Sequence, residues 1–256
     1  MSCKCCTVRD GDRDARELRS VAPLLVDGEL IGPVTLVRNG ARTIGATDVE
    51  LLRPYVGAKL SIATKLDGSA TVAIGHWGLS RKAELALVEL AQPIDVGLDV
   101  RPLELGAVCA SVDPQGAPAV LVGIVQDGRR FVRSFVPVVI DRDDAGDMER
   151  AMLQLASPLD DAHVGAHVEG AALFAWFPPN PALGRSGETL VLGVAQAYRG
   201  FAKPRARPVI AEIIGLDDLG RALLIAHKTE EREPELRQVA GEIDDSAPTD
   251  RAGKKP

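Results

Sequence analysis

An all-β body with one intermediate helix and one C-terminal helix is the architecture the 256-residue sequence predicts. Three observations predict it. Apolar and polar side chains alternate along several short runs, the pattern of strands with one buried face. Gly, Pro, Asp and Asn punctuate those runs at short intervals, as they do in antiparallel proteins. Helical spacing of apolar residues, by contrast, is confined to two stripes.

In chain order, residues 1–20 hold Cys3, Cys5 and Cys6 and then a run dense in Arg, Asp and Glu, so a flexible cysteine-containing arm is expected. Strands are predicted at 30–37, 70–75, 84–90, 119–125, 131–140, 189–196 and 208–214, with Asp127-Gly128 as a hairpin turn. Two further strands rest on clean alternation: Val56, Ala58, Leu60 and Ile62, and Val164, Ala166 and Val168. Met148, Ala151, Met152 and Leu155 fall at i, i+3, i+4 and i+7, which predicts the intermediate helix. Leu216, Leu219, Leu223 and Ala226 form the C-terminal stripe, and both stripes read as core-facing. Residues 229–256 are charged, carry Pro234, Pro248 and Pro256, and are expected as a disordered tail.

Composition excludes several functions. A formal charge of -6 gives no basic footprint for nucleic acid. No apolar run approaches the roughly 18 residues of a membrane span, and Met1 to Cys6 lead into charged residues instead of an apolar signal core, so a cytoplasmic protein is expected. Cys109 lies far from the terminal three cysteines and no paired CxxC occurs, so no metal is expected and a reducing compartment fits. Cys3, Cys5 and Cys6 are compatible with acylation, metal capture or redox chemistry on a mobile arm, but without a myristoylation glycine or an adjacent apolar helix a tail with plain exposed thiols is the expected reading. No phosphate-cradling glycine loop and no dinucleotide fingerprint is present, so no cofactor is expected.

Thr35 to Asp48, Glu84 to Val88 and Gly184 to Gly187 are three segments that, in this order, resemble the chymotrypsin/trypsin-like serine proteases. The segment from Thr35-Leu36-Val37 through Thr43-Ile44-Gly45-Ala46-Thr47-Asp48 is similar, without a gap, to the family's Ser-Leu-Ile strand and its Thr-Ala-Ala-His-Cys motif. Glu84-Leu85-Ala86-Leu87-Val88 resembles the Asp-Ile-Ala-Leu-Leu strand, and Gly184-Arg185-Ser186-Gly187 resembles the nucleophile loop. Downstream, Gly193-Val194-Ala195-Gln196 and Arg207-Pro208-Val209-Ile210 are similar to the family's Gly-Ile-Val-Ser and Pro-Gly-Val-Tyr strands. The likeness runs from about Pro23 to about His227. It implies two antiparallel six-stranded β-barrels, the first about 21–106 and the second about 117–214, closed by a helix at 216–228.

The same register implies degenerate chemistry. Ser186 takes the nucleophile position, Gly184 the oxyanion loop, and Glu84 the place of the orienting aspartate. Thr47 takes the place of the general-base histidine, and a hydroxyl has no accessible pKa with which to relay a proton near neutrality. Arg185 replaces the aspartate that pairs with a newly cut N-terminus, and Glu188-Thr189 replaces Gly-Pro. Asn180 falls near the specificity pocket, in a proline-rich loop without an acidic residue.

Four histidines could rescue a base: His76, His163, His167 and His227. His76 is expected in the turn before the Glu84 strand, as a surface or structural residue. His163 and His167 lie on one face of an alternating run, roughly 13 Å apart, too far to share an ion. His227 reads as a solvated residue at the end of the last helix. Asp48 matches the family's half-cystine and is a poor base for a serine.

Taken together, these features predict a catalytically inactive trypsin-like domain that binds a protein partner. Two rivals stand beside it: an active intracellular serine hydrolase using Ser186 with another base, His76 foremost, and a structural β-protein of an assembly.

Overall fold

A computed structural model of the chain describes residues 16–39, 41–79, 85–94, 99–104, 119–142, 151–155, 169–177, 188–197 and 209–214. Strand β1 (Val21–Val26) turns into β2 (Glu29–Asn39) through Asp27-Gly28. Both turn residues have positive φ, 49° and 90°, which matches the twist of the flanking strands and suits an Asp-Gly pair. Then follow β3 (Arg42–Asp48), a single turn of helix α1 (Val49–Leu52), β4 (Leu60–Ala63), β5 (Thr71–Leu79) and β6 (Leu85–Leu90). The pairings β1–β4, β4–β5, β5–β6, β6–β3, β3–β2 and β2–β1 are all antiparallel and close a ring of six strands. A two-residue strand β7 (Leu103–Glu104) runs parallel to β2 beyond the end of β1.

The second ring comprises β8 (Ala119–Asp127), β9 (Arg130–Arg142), β10 (Ala151–Leu155), β11 (Ala172–Phe177), β12 (Glu188–Ala197) and β13 (Val209–Ile214). It closes in the order β10-β13-β12-β11-β8-β9. The expected fold class is therefore the observed one: two six-stranded antiparallel barrels, which leave no long unpaired edge.

Alternation along the strands sorts side chains into two apolar clusters. Ala22, Leu24, Val34, Leu36, Ile62, Ala86 and Val88 belong to the first, which fills the first barrel and takes in Val49 and Leu52 of α1. The second draws on both barrels, joining Val21, Leu25, Val37 and Ile44 to Val122, Ile124, Phe174 and Val191. The barrels are thus welded by apolar burial, the largest stabilising contribution in folding. A polar clamp adds to it. Arg133 on β9 donates to the carbonyls of Val21 at 3.1 Å, Arg19 at 3.2 Å and Asp99 at 3.0 Å.

Several expectations change. The apolar stripe at 148–155 does not make a helix where the chain is described: residues 151–155 are β10, paired with β9 on one side and β13 on the other. Ladders on both sides of the strand outweigh a helical stripe barely two turns long, since so short a helix is marginal by itself. The alternation over 56–63 becomes a strand only from Leu60 onward, and Val56 is exposed in the turn before it. The packed chain also begins before residue 21: Arg16–Ser20 forms a 3₁₀ turn whose Leu18 is buried in the shared cluster. The C-terminal stripe and the run around Val164 lie outside the described residues. Among the described residues, no helix is long and apolar enough to cross a membrane.

Candidate functional site

Strand β3 carries Thr47 and Asp48 to the junction of the barrels. It is laddered on both sides, with Thr35 on β2 opposite Ala46 and with Ala86 and Leu85 on β6 opposite Thr47 and Asp48. Ladders on two sides fix the direction of each side chain. Thr47 is fully buried, at 0% exposure. The β2–β3 ladder ends at the Thr35–Ala46 pair, and the Thr47 hydroxyl donates to the next free carbonyl, that of Pro33, at 2.8 Å. A buried hydroxyl and a buried carbonyl satisfy one another there.

Asp48 follows as the N-cap of α1, with extended backbone (φ -69°, ψ 135°). Its Oδ1 accepts from the Glu50 N–H at 3.0 Å, the ordinary capping bond. The same oxygen accepts from Nε2 of Gln196, on β12 of the other barrel, at 3.4 Å. Oδ2 is buried with no partner. Burial is the largest influence on this carboxyl and raises its pKa to about 6; the Glu50 N–H opposes that rise, the charges of Glu169 and Glu50 add to it, and the Gln196 amide opposes it. Glu50 itself is ion-paired to Arg53 at 3.0 Å.

Such a carboxyl has the proton affinity of a general acid or base near neutrality. It is 0% exposed, and its Oδ1 is committed to the helix cap. Over Thr47 sits Gly170, which precedes β11 and hydrogen-bonds to β12 through its N–H and the Ala195 carbonyl, 2.8 Å. A Cβ on Gly170 would lie 2.8 Å from Thr47 Oγ1 and 2.5 Å from Leu51 Cδ1. Gly170 therefore packs closely over one side of the threonine.

Of the sequence-predicted site residues, Thr47 is described; Ser186, Gly184 and Glu84 lie outside the described residues, as do Arg185, Asn180, His163, His167, His227 and all four cysteines. The first described residue after Glu84 is Leu85, the register partner of Asp48. His76 departs from expectation: it sits within β5, exposed, opposite Glu89, because β5 continues along β6 as far as Leu79. From the Leu79–Ala86–Thr47 row it is three residues along the strand and two strands across, roughly 14 Å from Thr47. Among the described residues, no group of three His, Cys, Asp or Glu side chains is arranged to hold a metal. Sequence reasoning missed the bond between Asp48 and Gln196; both segments were in the family register, but nothing in either showed that they touch.

No protein-family model matches the sequence, and no curated protein matches it. Solved structures do. Human heparin binding protein superposes with a TM-score of 0.54 at 16% identity, covering 79% of this chain and 88% of that one. Kallikrein-related peptidase 10 gives 0.57 at 11%, covering 84% and 97%. Neuropsin, a serine protease of mouse brain, gives 0.53 at 12%, covering 84% and 96%. At such identities the likeness speaks for the fold. The chain has the double-barrel fold of the trypsin-like serine proteases.

Proposed function

We propose that this chain is a trypsin-like domain without proteolytic activity, a pseudoprotease that works as a protein-binding or regulatory module. One observation carries the reading. In the family register the general-base position is Thr47, and Thr47 is buried at 0% exposure with its hydroxyl committed to Pro33. A serine nucleophile needs a base that accepts its proton and returns it, and a sealed hydroxyl does neither. Asp48 beside it is equally sealed, and His76 stands on a distant strand.

Loss of a triad member costs several powers of ten in rate even where the rest is intact. What remains useful in such a fold is its surface. One structural neighbour is named for binding heparin, yet a net charge of -6 opposes a sulfated polysaccharide as the partner of this chain.

A fluorophosphonate probe tests the reading on the intact chain, with trypsin as a positive control and Ser186→Ala as the blank. Labelling no greater than that of the blank is expected. Robust labelling that vanishes in Ser186→Ala would establish an active hydrolase and end the proposal. A discrete homo-oligomer in solution scattering would instead support the structural reading.

A further inference from the structure

The junction of the barrels holds a buried carboxyl that spans them. Asp48 belongs to the first barrel through β3 and α1; Gln196 belongs to the second through β12. Their bond, at 3.4 Å, is a long one, and the second carboxyl oxygen has no partner in a place without solvent. We infer that Asp48 is a proton-operated latch between the two barrels: the neutral carboxyl is tolerated in the closed junction, whereas the carboxylate, although a better acceptor for Gln196 and the Glu50 N–H, favours a parted junction that water can reach.

Isolated buried charge is among the most expensive states a protein can hold, while a neutral carboxyl in the same place costs far less. Parting the barrels at this point lets water reach the carboxylate, so ionisation favours the parted state. Every charged group known to face Asp48 acts in the same direction or is balanced. Glu169, preceding β11, and Glu50, on α1, disfavour a further negative charge; Glu50 is offset by Arg53. On β12 the facing group is the neutral Gln196, whose register partner on β13 is Glu212. On β6 it is the apolar Leu85, and the Arg42–Glu89 pair lies toward the other end of the β3–β6 ladder. None of the main influences on the carboxyl is a cation. With a proton midpoint near 6, the latch would work between about pH 5 and pH 8.

Amide exchange on the full chain reads the latch locally. Gly170 and Ala195 donate to Ala195 and Ala171 at the junction, at 2.8 and 2.7 Å. After correction for intrinsic exchange, their protection should rise on the order of tenfold or more between pH 8 and pH 5. Amides of β4 and β5, within the first barrel, should change by less than about threefold. Asp48→Asn keeps the oxygen and removes the titration, and its junction amides should show no such dependence. Gln196→Met is a second variant that leaves Asp48 and the helix cap in place and removes a donor that favours the carboxylate, so its junction amides should keep a pH response at least as large as that of wild type. A wild-type pH response in Asp48→Asn would overturn the latch. So would a response abolished in Gln196→Met, or one spread evenly over both barrels.

Discussion

Thr47 and Gly170 share one space across the barrel junction: a Cβ on Gly170 would stand 2.8 Å from the Thr47 hydroxyl, already bonded to Pro33. Gly170 also has φ 76°, where side chains other than glycine are strained. Gly170→Ala therefore combines backbone strain with a collision against Leu51, Thr47 and a backbone carbonyl. A loss of roughly 3 kcal/mol or more is expected in urea unfolding. Gly28 is the control, since its φ of 90° is equally left-handed but nothing lies within 4 Å of its would-be Cβ. Gly28→Ala should cost only about 1 kcal/mol. Equal losses at the two sites would show that packing at Gly170 contributes nothing.

Thr47→Val removes a hydroxyl at nearly constant volume and leaves the buried Pro33 carbonyl without its donor. A destabilisation of about 1–3 kcal/mol should follow. Thr47→His, which writes the family's base back into the register, should do worse, because a larger side chain there is opposed by the close packing of Gly170 over the threonine. It should gain no fluorophosphonate reactivity. A folded Thr47→His protein with Ser186-dependent labelling would contradict the sealed-site reading.

How much of this was legible beforehand differs between fold and site. Strands such as β2, β6, β8 and β9 were visible as short apolar runs between turn residues, and not by alternation: β8 has no polar residue from Ala119 to Val125, and its buried positions are consecutive. Strand β11, Ala-Leu-Phe-Ala-Trp from Ala172 to Trp176, is a run of the same kind, also without a period to mark it, and it was passed over. Strand β1 was passed over as well, although Asp27-Gly28 after it is a strong hairpin signal. At 151–155 the apolar spacing pointed to a helix, and only pairing with β9 and β13, distant in sequence, decides for a strand. Thr47 could be singled out from the sequence by its register alone. Its burial, and the tie from Asp48 to Gln196, are products of docking two barrels, which no local pattern encodes.

Asp48 should make the protein more stable in mild acid than at neutral pH. Its folded-state pKa, near 6, lies above the ordinary aspartate value of 3.8, so the folded form binds the proton more tightly. The stabilisation is fully present below about pH 4 and is lost as pH rises through about 6. The difference corresponds to roughly 2–3 kcal/mol at most, so wild type should melt several degrees higher at pH 5 than at pH 8. Asp48→Asn should flatten that rise and melt above wild type at pH 8. A wild-type melting point that falls steadily from pH 8 to pH 5, together with an unaffected Asp48→Asn profile, would assign the acid response to other groups.

Arg133 should matter for where the packed chain begins as well as for how the barrels dock. Its guanidinium reaches the carbonyls of Arg19, Val21 and Asp99, and burial lowers its pKa only to about 10, so it stays charged at neutrality. Arg133→Met retains the apolar stem and leaves three carbonyls without this donor. Hydrogen bonds from a charged group each contribute on the order of 1.5–3 kcal/mol where buried, less where water can substitute, so a total loss of roughly 2–4 kcal/mol is expected. The 3₁₀ turn Arg16–Ser20 should loosen first, since Arg19 also accepts from the Arg101 N–H and depends on the same corner. Limited trypsin digestion would then cut after Arg19 faster in the variant than in wild type, ahead of any general unfolding. Arg133→Lys should behave almost like the methionine variant, because one ammonium cannot span three carbonyls as a planar fork does. Cutting rates and unfolding midpoints unchanged in both variants would mean that the apolar cluster alone docks the barrels.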